Sequence, residues 1–389
     1  MALIPGIVQQ GGANPETSDW STWDGTQDGD LGILVAPMRG TMGMAPVEGD
    51  STKMVVAYGH GDPTIILAAA VVTRTGVTAA LSGQISVDEI TGGITYPLVV
   101  ALSSSRYLVA GRQVSDQKLG VHLLNLSGNT LTVVDSAVYD APTVNWEQSI
   151  AMLTPSLVSI VASDVDTSDL WMFTVSIAGD VITINDPVEI RDAVTANTTN
   201  AVCRLTNTSG LLSSRNLVQL FTISGATPSA GDTELLVGAE AGTANNSPLG
   251  LIRISDTKAI AVYNHTTAGL GAKVITNTAG TLSSGTQYEL IASGVYTWGI
   301  RVSALSANHY LVAYDTITST VGGYALVFHH NPATDAITLI DTNLMVSDPA
   351  VDTDHPNGAA FSGGNYALVV NQDDQINVYN AAYKVLHSE

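Results

Sequence analysis

Lys53-Met-Val-Val-Ala-Tyr58 is the first copy of a short pattern that recurs along the chain. A polar or basic residue is followed by four or five apolar ones, and the segment is bounded by Ser, Thr, Asn, Asp and Gly. This composition is typical of a β-strand, and no comparable helical periodicity is found. The other clear copies begin at Arg106, Lys258, His309 and Asn365, and two weaker copies are Ser156–Val161 and Asn216–Phe221.

The copies are spaced at a nearly constant interval. Their second apolar residues stand at positions 55, 108, 158, 218, 260, 311 and 367. The mean step is therefore about 52 residues, which is the length of one repeat in several propeller families. Further strand-like segments lie between the copies, joined by links centred on Asn, Asp or Gly, which suit hairpin turns.

This arrangement predicts an all-β fold, a seven-bladed β-propeller of four-stranded antiparallel blades. The small residues of the pattern fit the innermost strand of each blade, because innermost strands crowd around the central channel. A pair of β-sandwiches is the alternative, but it does not explain a period that is kept along the whole chain.

The repeat divides the chain into an N-terminal extension, residues 1–44, and the propeller, residues 45–389. The seventh unit is short, and we expect Leu31–Val35 to complete it from the other end of the chain. The extension also has an apolar tip, which is either a docking arm for a neighbouring subunit or packed under its own propeller. The candidate docking residues are Leu3, Ile4, Ile7 and Val8.

Composition excludes several functional classes. The net charge is −21, and 45% of the residues are hydrophobic, so neither disorder nor nucleic-acid binding is favoured. The longest apolar run, Ile65–Val72, is too short to cross a bilayer. The first basic residue is Arg39, so no signal peptide is recognised. One cysteine, Cys203, excludes an intrachain disulfide and is predicted to be buried.

Catalytic signatures are missing from the sequence. The nucleophile-elbow, zinc-protease and P-loop patterns do not occur, so we predict no enzyme, no catalytic residue and no cofactor. Asp164, Asp166 and Asp169 are weak calcium candidates, and Asp24, Asp28 and Asp30 form a second such cluster, because a hard cation takes several oxygen ligands from one loop. The alternative is that these residues form a hairpin turn. We interpret Asp348, Asp352, Asp354 and His355 as an exposed loop.

Histidine and aromatic residues give further candidates. His329 and His330 are adjacent, and in a strand they would face opposite sides, so they cannot share one metal ion. Tryptophans, if exposed, could stack on sugars. The series Tyr58, Tyr263 and Tyr314 recurs at one position of the repeat, and core packing is its simpler explanation. A basic patch for an acidic polysaccharide would consist of Arg106, Arg112 and Lys118.

Two segments carry a family resemblance. Asp256–Ala261, followed by Thr278–Thr286, resembles repeats in propeller proteins encoded by marine and environmental tailed bacteriophages. The resemblance covers residues 45 to 385. It implies a virion protein of the decoration, tail or fibre type that is assembled in the host cytoplasm in several copies. Its partners would be other capsid or tail subunits, and a host-surface glycan is a further possible partner.

Four functions remain open at this stage. The first is a non-enzymatic structural protein of a bacteriophage virion that presents a rigid propeller. The second is a carbohydrate-binding, lectin-like propeller. The third is a polysaccharide-acting enzyme whose two carboxylates face each other in the channel. The fourth is a protein-interaction scaffold in a cell.

Overall fold

The architecture is taken from a computed structural model of the 389-residue chain. The structure describes residues 42–60, 66–75, 78–87, 93–145, 148–192, 200–214, 217–236, 249–265, 269–291, 299–316, 322–344, 353–364, 366–373 and 378–384. These residues form 28 β-strands in seven antiparallel sheets. Within each sheet the strands follow one another in chain order, except that β13 of the five-stranded sheet pairs with β11 beside β12.

The strands of sheets 1 to 4 have the following bounds. Sheet 1 contains β1 (Gly43–Pro46), β2 (Lys53–His60), β3 (Ile66–Thr75) and β4 (Thr78–Ser86). Sheet 2 contains β5 (Ile94–Ser103), β6 (Arg106–Gln113), β7 (Leu119–Ser127) and β8 (Thr130–Tyr139). Sheet 3 contains β9 (Ser149–Thr154), β10 (Leu157–Ser163), β11 (Leu170–Ala178), β12 (Val181–Ile184) and β13 (Val188–Arg191). Sheet 4 contains β14 (Asn200–Thr206), β15 (Ser209–Ser214), β16 (Leu217–Ser224) and β17 (Thr227–Leu235).

Sheets 5 to 7 continue the series. Sheet 5 contains β18 (Leu249–Arg253), β19 (Lys258–His265), β20 (Gly269–Thr278) and β21 (Thr281–Ile291). Sheet 6 contains β22 (Ile300–Ala304), β23 (His309–Thr316), β24 (Gly322–Asn331) and β25 (Ala336–Leu344). Sheet 7 contains β26 (Thr353–Ala360), β27 (Tyr366–Asp373) and β28 (Val378–Lys384).

The first strands of the sheets form a ring. Each first strand contacts the first strand of the next sheet, and β26 contacts β1, so the ring closes around a central channel. We call the first strands the inner strands. The hairpins between first and second strands and between third and fourth strands lie on one face, the lower face. The opposite ends of the strands, at which second strands end and third and inner strands begin, define the upper face. The protein is a β-propeller.

The number of complete blades differs from the prediction. Six sheets have four or five strands and are complete blades, whereas sheet 7 has three strands among the described residues. The prediction of seven four-stranded blades is therefore wrong in its count. The segment predicted to complete the seventh sheet, Leu31–Val35, lies outside the described residues, as does the rest of the predicted extension up to residue 41.

The recurring apolar pattern occupies a different strand from the one predicted. Its copies form the second strands, such as β2, β6 and β19, and the inner strands precede them. In the fourth repeat the predicted copy, Asn216–Phe221, falls on the third strand, β16. The true second strand is β15, Ser-Gly-Leu-Leu-Ser-Ser, which has only two large apolar residues and is less apolar than the strand that follows it.

Seven apolar clusters hold the ring together, one between each pair of neighbouring sheets. The cluster between sheets 7 and 1 closes the ring and includes Met44, Val56, Phe361 and Leu368. Alternate residues of a strand face opposite sides of its sheet. Each middle strand therefore contributes apolar side chains to the clusters on both sides of its sheet. Both faces of every blade are therefore buried, which explains why the second strands are apolar without alternation.

Charged side chains link neighbouring sheets at the lower face. The first residue of a second strand reaches the hairpin between the third and fourth strands of the next sheet. Lys53 Nζ lies 3.5 Å from the carbonyl oxygen of Gly128, and Arg106 Nη2 donates to the carbonyl oxygen of Gly179 at 2.7 Å. Lys258 forms the corresponding contact with the carboxylate of Asp335, at 2.5 Å. The basic residue that opens the sequence pattern is thus an inter-blade contact.

Aspartates in the fourth strands make a second set of links. The amide of Ile182 donates to Asp135 Oδ2, and the amide of Leu282 donates to Asp232 Oδ2, both at 2.8 Å. Each aspartate stands where the pairing of its fourth strand shifts register. Such a bulge turns a side chain away from its own sheet, and here the carboxylate reaches the outer strand of the next one.

Candidate functional site

The upper face presents the links at which propellers are free to vary. The best described part of this face belongs to sheets 2 and 3, where residues 114–118, 140–145 and 164–169 connect strands. The amide of Val144 donates to the carbonyl oxygen of Gln117 at 2.7 Å, and the amide of Asn145 donates to that of Ser163 at 2.8 Å. These hydrogen bonds tie the three links together.

The predicted calcium loop is held by its own hydrogen bonds. Asp164 is buried, and its Oδ1 accepts hydrogen bonds from the amides of Asp166 and Thr167 at 2.7 and 3.3 Å. Thr143 Oγ1 donates to both Asp164 and Asp166, at 3.3 and 3.1 Å. The carboxylate of Asp164 therefore caps the turn, which is the alternative that the sequence left open.

Asp169, the third calcium candidate, belongs to a different group. Each residue of the group Asp169, Glu189 and Asp192 has one carboxylate oxygen within 4.8 Å of those of the other two. Glu189 and Asp192 are exposed, and Asp169 is half-buried. The three residues could supply oxygen ligands to a hard cation. Calcium binding by Asp164, Asp166 and Asp169 stays a prediction, but the structure does not gather these three residues around one point.

Trp171 lies beside this group. It pairs with Glu189 across the sheet, is half-buried, and packs against the apolar cluster between sheets 2 and 3. The Trp171 ring therefore fills part of the interface between sheets 2 and 3. The other four tryptophans lie outside the described residues, as do Asp24, Asp28 and Asp30 and the four candidate docking residues of the N-terminal tip.

The recurring tyrosines are core residues. Tyr58, Tyr263 and Tyr314 are each at most 2% exposed. Burial raises the pKa of Tyr58 to about 12 and raises those of Tyr263 and Tyr314 above the usual range. Core packing, the simpler explanation of this series, is confirmed. Cys203 is also buried as predicted, and burial raises the pKa of its thiol to about 12.

The adjacent histidines face opposite sides, as their strand position predicts. The His329 ring lies over that of His309, with 5.0 Å between centroids, whereas His330 Nε2 lies 3.3 Å from Asp335 Oδ1. A third histidine, His122, is fully buried. Its Nδ1 lies 2.9 Å from Ser136 Oγ, its Nε2 has no hydrogen-bond partner among the described residues, and burial lowers its pKa to about 4.

The predicted basic patch does not form. Arg106 begins β6 at the lower face and is bonded to the hairpin of sheet 3. Arg112 lies six residues further along the same strand, roughly 20 Å away in an extended chain, and is buried. Lys118 is at the upper face and pairs with Asp116 and Asp140. Arg106 is separated from the other two charges because the strand carries it to the opposite end of the blade, and of the two that share an end, Arg112 is buried while Lys118 pairs with aspartates.

A strained bulge interrupts the inner strand of sheet 2. The pairing of β5 with β6 shifts between Thr95 and Leu98, so Tyr96 and Pro97 are displaced from the ladder. Tyr96 has a φ of +53°, a conformation that is costly for a residue with a bulky side chain. Its side chain is half-buried, and the residue stands near the end of β5 that faces the upper side of the ring.

Two glycines make room for this bulge. A Cβ on Gly43 of β1 would lie 2.6 Å from the carbonyl oxygen of Pro97, and one on Gly111 of β6 would lie 2.3 Å from Ile94 Cγ2. Arg112, the next residue of β6, is 8% exposed. Burial lowers the pKa of Arg112, and the nearby Tyr96 acts in the opposite direction.

Sheet 7 has a similar irregularity. The pairing of its inner strand β26 with β27 shifts between Asp354 and Asn357, at His355-Pro356. The interpretation of Asp354 and His355 as part of a loop is wrong, because both residues are within an inner strand. Asp348 and Asp352, predicted to join them, lie outside the described residues. Around the ring, β26 and β5 are the two neighbours of β1.

Among the residues that the structure describes, no helix is long and apolar enough to cross a bilayer. No protein-family model matches the sequence, and no curated protein matches it.

Solved structures match the fold. The BP39L lectin from Burkholderia pseudomallei is 12% identical over 90% of this chain and 98% of its own, with a TM-score of 0.56. A putative 6-phosphogluconolactonase from Bacteroides fragilis is 12% identical over 77% of this chain and 83% of its own, with a TM-score of 0.54. The periplasmic gluconolactonase PpgL from Pseudomonas aeruginosa is 13% identical over 80% and 88%, with a TM-score of 0.51. At these identities the likeness shows the propeller fold alone.

Proposed function

We propose that the protein is a non-enzymatic structural and attachment protein of a bacteriophage virion. A stiff ring displays the upper-face links to a neighbouring capsid or tail subunit or to a host surface. The observation that supports this proposal is the unbroken series of seven apolar interfaces, which close the ring from sheet 1 back to sheet 1. A ring of this kind holds its loops in fixed relative positions.

The distribution of titratable groups supports a non-enzymatic role. The tyrosines and the cysteine with strongly raised pKa values lie inside the apolar clusters between sheets, where packing alone explains the shifts. The grouped carboxylates at the rim, by contrast, include the exposed residues Glu189 and Asp192. A carboxyl group that acts as a general acid in glycoside hydrolysis needs apolar surroundings.

The N-terminal extension is the proposed anchor. The first described residue, Met42, is fixed where sheets 7 and 1 meet, because Asn357 Nδ2 donates to its carbonyl oxygen at 2.6 Å. In every complete blade a fourth strand precedes the link to the next inner strand. We therefore propose that the extension carries the anchor, and that the apolar tip with Leu3, Ile4, Ile7 and Val8 docks on a neighbouring subunit.

Mass spectrometry of density-purified phage particles from the source of the gene tests this proposal. We expect the chain in the particles: tens of copies would indicate a decoration role, and a few copies a tail tip or fibre. Deletion of residues 1–12 should abolish incorporation while the isolated propeller keeps its melting temperature. Particles that lack the wild-type chain would overturn the virion assignment. Unchanged incorporation of the truncated chain would overturn the role of the tip.

A further inference from the structure

We propose that His309 and His329 bind a divalent transition-metal ion of the Zn²⁺ or Cu²⁺ type at the lower face of sheet 6. This goes beyond the display role, because a scaffold that presents loops needs no metal ion. The two histidines are twenty residues apart in the chain, and the pairing of β23 with β24 places them directly opposite each other.

The first observation is that sheet 6 departs from the repeat at both positions of this pair. In the other five complete blades the first residue of the second strand faces a small polar residue of the third strand: Lys53 with Thr73, Arg106 with Asn125, Leu157 with Ser176, Ser209 with Thr222 and Lys258 with Thr276. Among the complete blades that the structure describes, sheet 6 alone has histidine at these positions. Two departures at one cross-strand position indicate a joint role for the two rings.

The second observation is the distance between the rings. Their centroids are 5.0 Å apart, and their planes are inclined by 45°. A Zn²⁺ ion about 2.0–2.1 Å from a ring nitrogen lies about 3.2 Å from the ring centroid, so this separation gives an angle of about 100° at the ion, close to the tetrahedral value. The inclination of the planes does not interfere, because each ring can rotate about its bond to the metal.

A side-chain contact holds the His309 ring in place. His309 Nδ1 lies 2.9 Å from Ser306 Oγ, and the amides of Leu305 and Ser306 donate to the His309 carbonyl oxygen at 2.8 and 3.2 Å. With its proton on Nδ1, His309 donates to Ser306 and offers the lone pair of Nε2 to a metal ion, as metal-bound histidines commonly do. Both histidines take part in further interactions, and a metal ion requires only one nitrogen from each ring.

The position of the pair suits a bound cation. Leu311 and Val327, each two residues away on the same face of its strand, belong to the apolar cluster between sheets 6 and 7. The pair therefore lies at the lower end of this interface, where His309 is buried and His329 is half-buried. In sheets 1, 2 and 5 a lysine or arginine at the position of His309 contacts the next sheet, and a bound metal ion restores a positive charge at this point.

Two other groups of the protein serve as internal comparisons. His330 is the next residue of β24 but faces the opposite side, where its Nε2 lies 3.3 Å from Asp335 Oδ1. The carboxylates of Asp169, Glu189 and Asp192 offer oxygen ligands, which suit Ca²⁺, whereas imidazole suits Zn²⁺ and Cu²⁺. Excess Ca²⁺ should therefore occupy carboxylates without competing for the histidine pair.

The test is isothermal titration calorimetry of the purified full chain with Zn²⁺ in the presence of excess Ca²⁺. We expect Zn²⁺ to bind the wild type. His309→Lys and His329→Thr each introduce the residue that sheets 1 and 5 have at that position, so the blade should still fold. Each should weaken Zn²⁺ binding by at least about tenfold, and Ser306→Ala should weaken it by about tenfold, because the His309 ring is then no longer held.

His330→Gln is the matched control. It removes an imidazole from the same strand but from the opposite side, so this variant should bind Zn²⁺ like the wild type. Cu²⁺ bound to the wild type should show hyperfine coupling to imidazole nitrogen in its electron paramagnetic resonance spectrum, and the double variant His309→Lys/His329→Thr should lose this coupling. Equal melting temperatures without metal show that each variant is folded.

No Zn²⁺ binding by the wild type, or wild-type affinity in the double variant, would overturn the inference. A loss of affinity in His330→Gln equal to that in His329→Thr would also overturn it. Each result is independent of the virion assignment, because the measurement uses the isolated protein.

Discussion

Two interfaces of the ring, between sheets 5 and 6 and between sheets 1 and 2, are filled in different ways. The first is aromatic: on the side of sheet 6 that faces sheet 5, Tyr310 stacks on Phe328 at 5.2 Å and Tyr314 on Tyr324 at 5.3 Å between ring centroids, each pair joining β23 to β24. The second is built mainly from Val, Ala and Leu, and at Gly43 the backbone of sheet 1 comes very close to that of sheet 2. Large rings hold one pair of sheets together, and close backbone contact holds the other.

The difference has a consequence for the inner strands. Aromatic filling tolerates regular inner strands, and β18 and β22 pair without a shift. The aliphatic interface, with glycine at the contact, leaves space in which β5 bulges and displaces Tyr96. Large rings thus accompany regular inner strands, and close backbone contact at Gly43 accompanies the bulge of β5. Four substitutions test this contrast.

The largest effect is expected at the aromatic interface. Phe328 is fully buried, so Phe328→Ala should lower the free energy of unfolding by about 3–5 kcal/mol through lost contacts and a cavity. Guanidinium unfolding followed by circular dichroism measures this change. Val181→Ala is the control: Val181 is 59% exposed, and a change within about 0.5 kcal/mol is expected. An equal decrease in the free energy of unfolding of the two variants would contradict the claim that the aromatic rings stabilise this interface.

A pH-dependent effect is expected at the aliphatic interface. His122 lies on β7, opposite Val109, whose side chain packs against sheet 1. Because burial lowers its pKa to about 4, the unfolded chain takes up a proton near pH 6.5 and the folded protein does not. The contribution of neutral His122 to the free energy of unfolding is therefore fully present above about pH 6.5. It decreases by about 3 kcal/mol in all as the pH falls towards about 4.

His122→Leu should remove this dependence. Unfolding by urea at several pH values between about 4 and 7 would show a flatter profile for the variant than for the wild type. Leu also fits the apolar surroundings, so stability near neutral pH should change little. Parallel profiles for the two proteins would mean that His122 is not desolvated in the interface.

The next effect concerns the contact between Gly43 and the bulge. A Cβ at Gly43 would lie 2.6 Å from a backbone oxygen, so Gly43→Ala should cost about 2 kcal/mol and displace Tyr96. Gly271→Ala is the control, because its Cβ would make an ordinary contact of 3.4 Å with Tyr263. Thermal unfolding compares the two. A Gly43→Ala protein as stable as Gly271→Ala would show that sheets 1 and 2 are not in tight contact.

The smallest effect is expected from a charged link of the aromatic interface. Burial raises the pKa of Asp335, but hydrogen bonds and charges from Lys258 and His330 outweigh it, and the net pKa is lowered. The lowered pKa stabilises the protein above about pH 4, and this contribution is lost as the pH falls below that value. The carboxylate is 35% exposed, so Asp335→Asn should cost only about 0.5–1 kcal/mol at pH 7.

The matched variant for this link is Asp256→Asn. Asp256 pairs with Arg253 within its own sheet and is largely exposed. Its removal should have almost no effect on thermal unfolding. If Asp256→Asn lowered the melting temperature more than Asp335→Asn, ion pairs between sheets would stabilise the protein no more than ion pairs at the surface.

The propeller could be predicted from the sequence because each repeat must bury both faces of its sheet. The middle strands are therefore apolar, and such segments recur at a nearly constant interval along the chain. Tyr58, Tyr263 and Tyr314 were interpreted correctly as core residues for this reason. The period did not reveal which strand was innermost, since the inner strands, such as β18 and β22, are short and less apolar than the second strands. It also failed at β15, where Ser213 and Ser214 replace large apolar residues.

The candidate site was not predictable from the sequence. Tyr96-Pro97 and His355-Pro356 resemble ordinary loop dipeptides, and only the register of their neighbours shows that they interrupt inner strands. Proline within a strand is itself a signal for a bulge, and this signal was available. Nothing in the sequence indicated the burial of Arg112, because an arginine that follows an apolar segment is usually exposed.

The closure between sheets 7 and 1 has a consequence for folding. Every strand pairing except that of β11 with β13 joins strands adjacent in the chain, whereas the hydrogen bonds Gly49–Ser362 and Asn357–Met42 join residues 313 and 315 positions apart. Contacts of such large sequence separation form slowly, because the intervening chain must first be ordered. During synthesis the sheets emerge one by one and assemble into an open arc. Its two apolar ends stay exposed until the last repeat leaves the ribosome, and this arc is the species most at risk of aggregation.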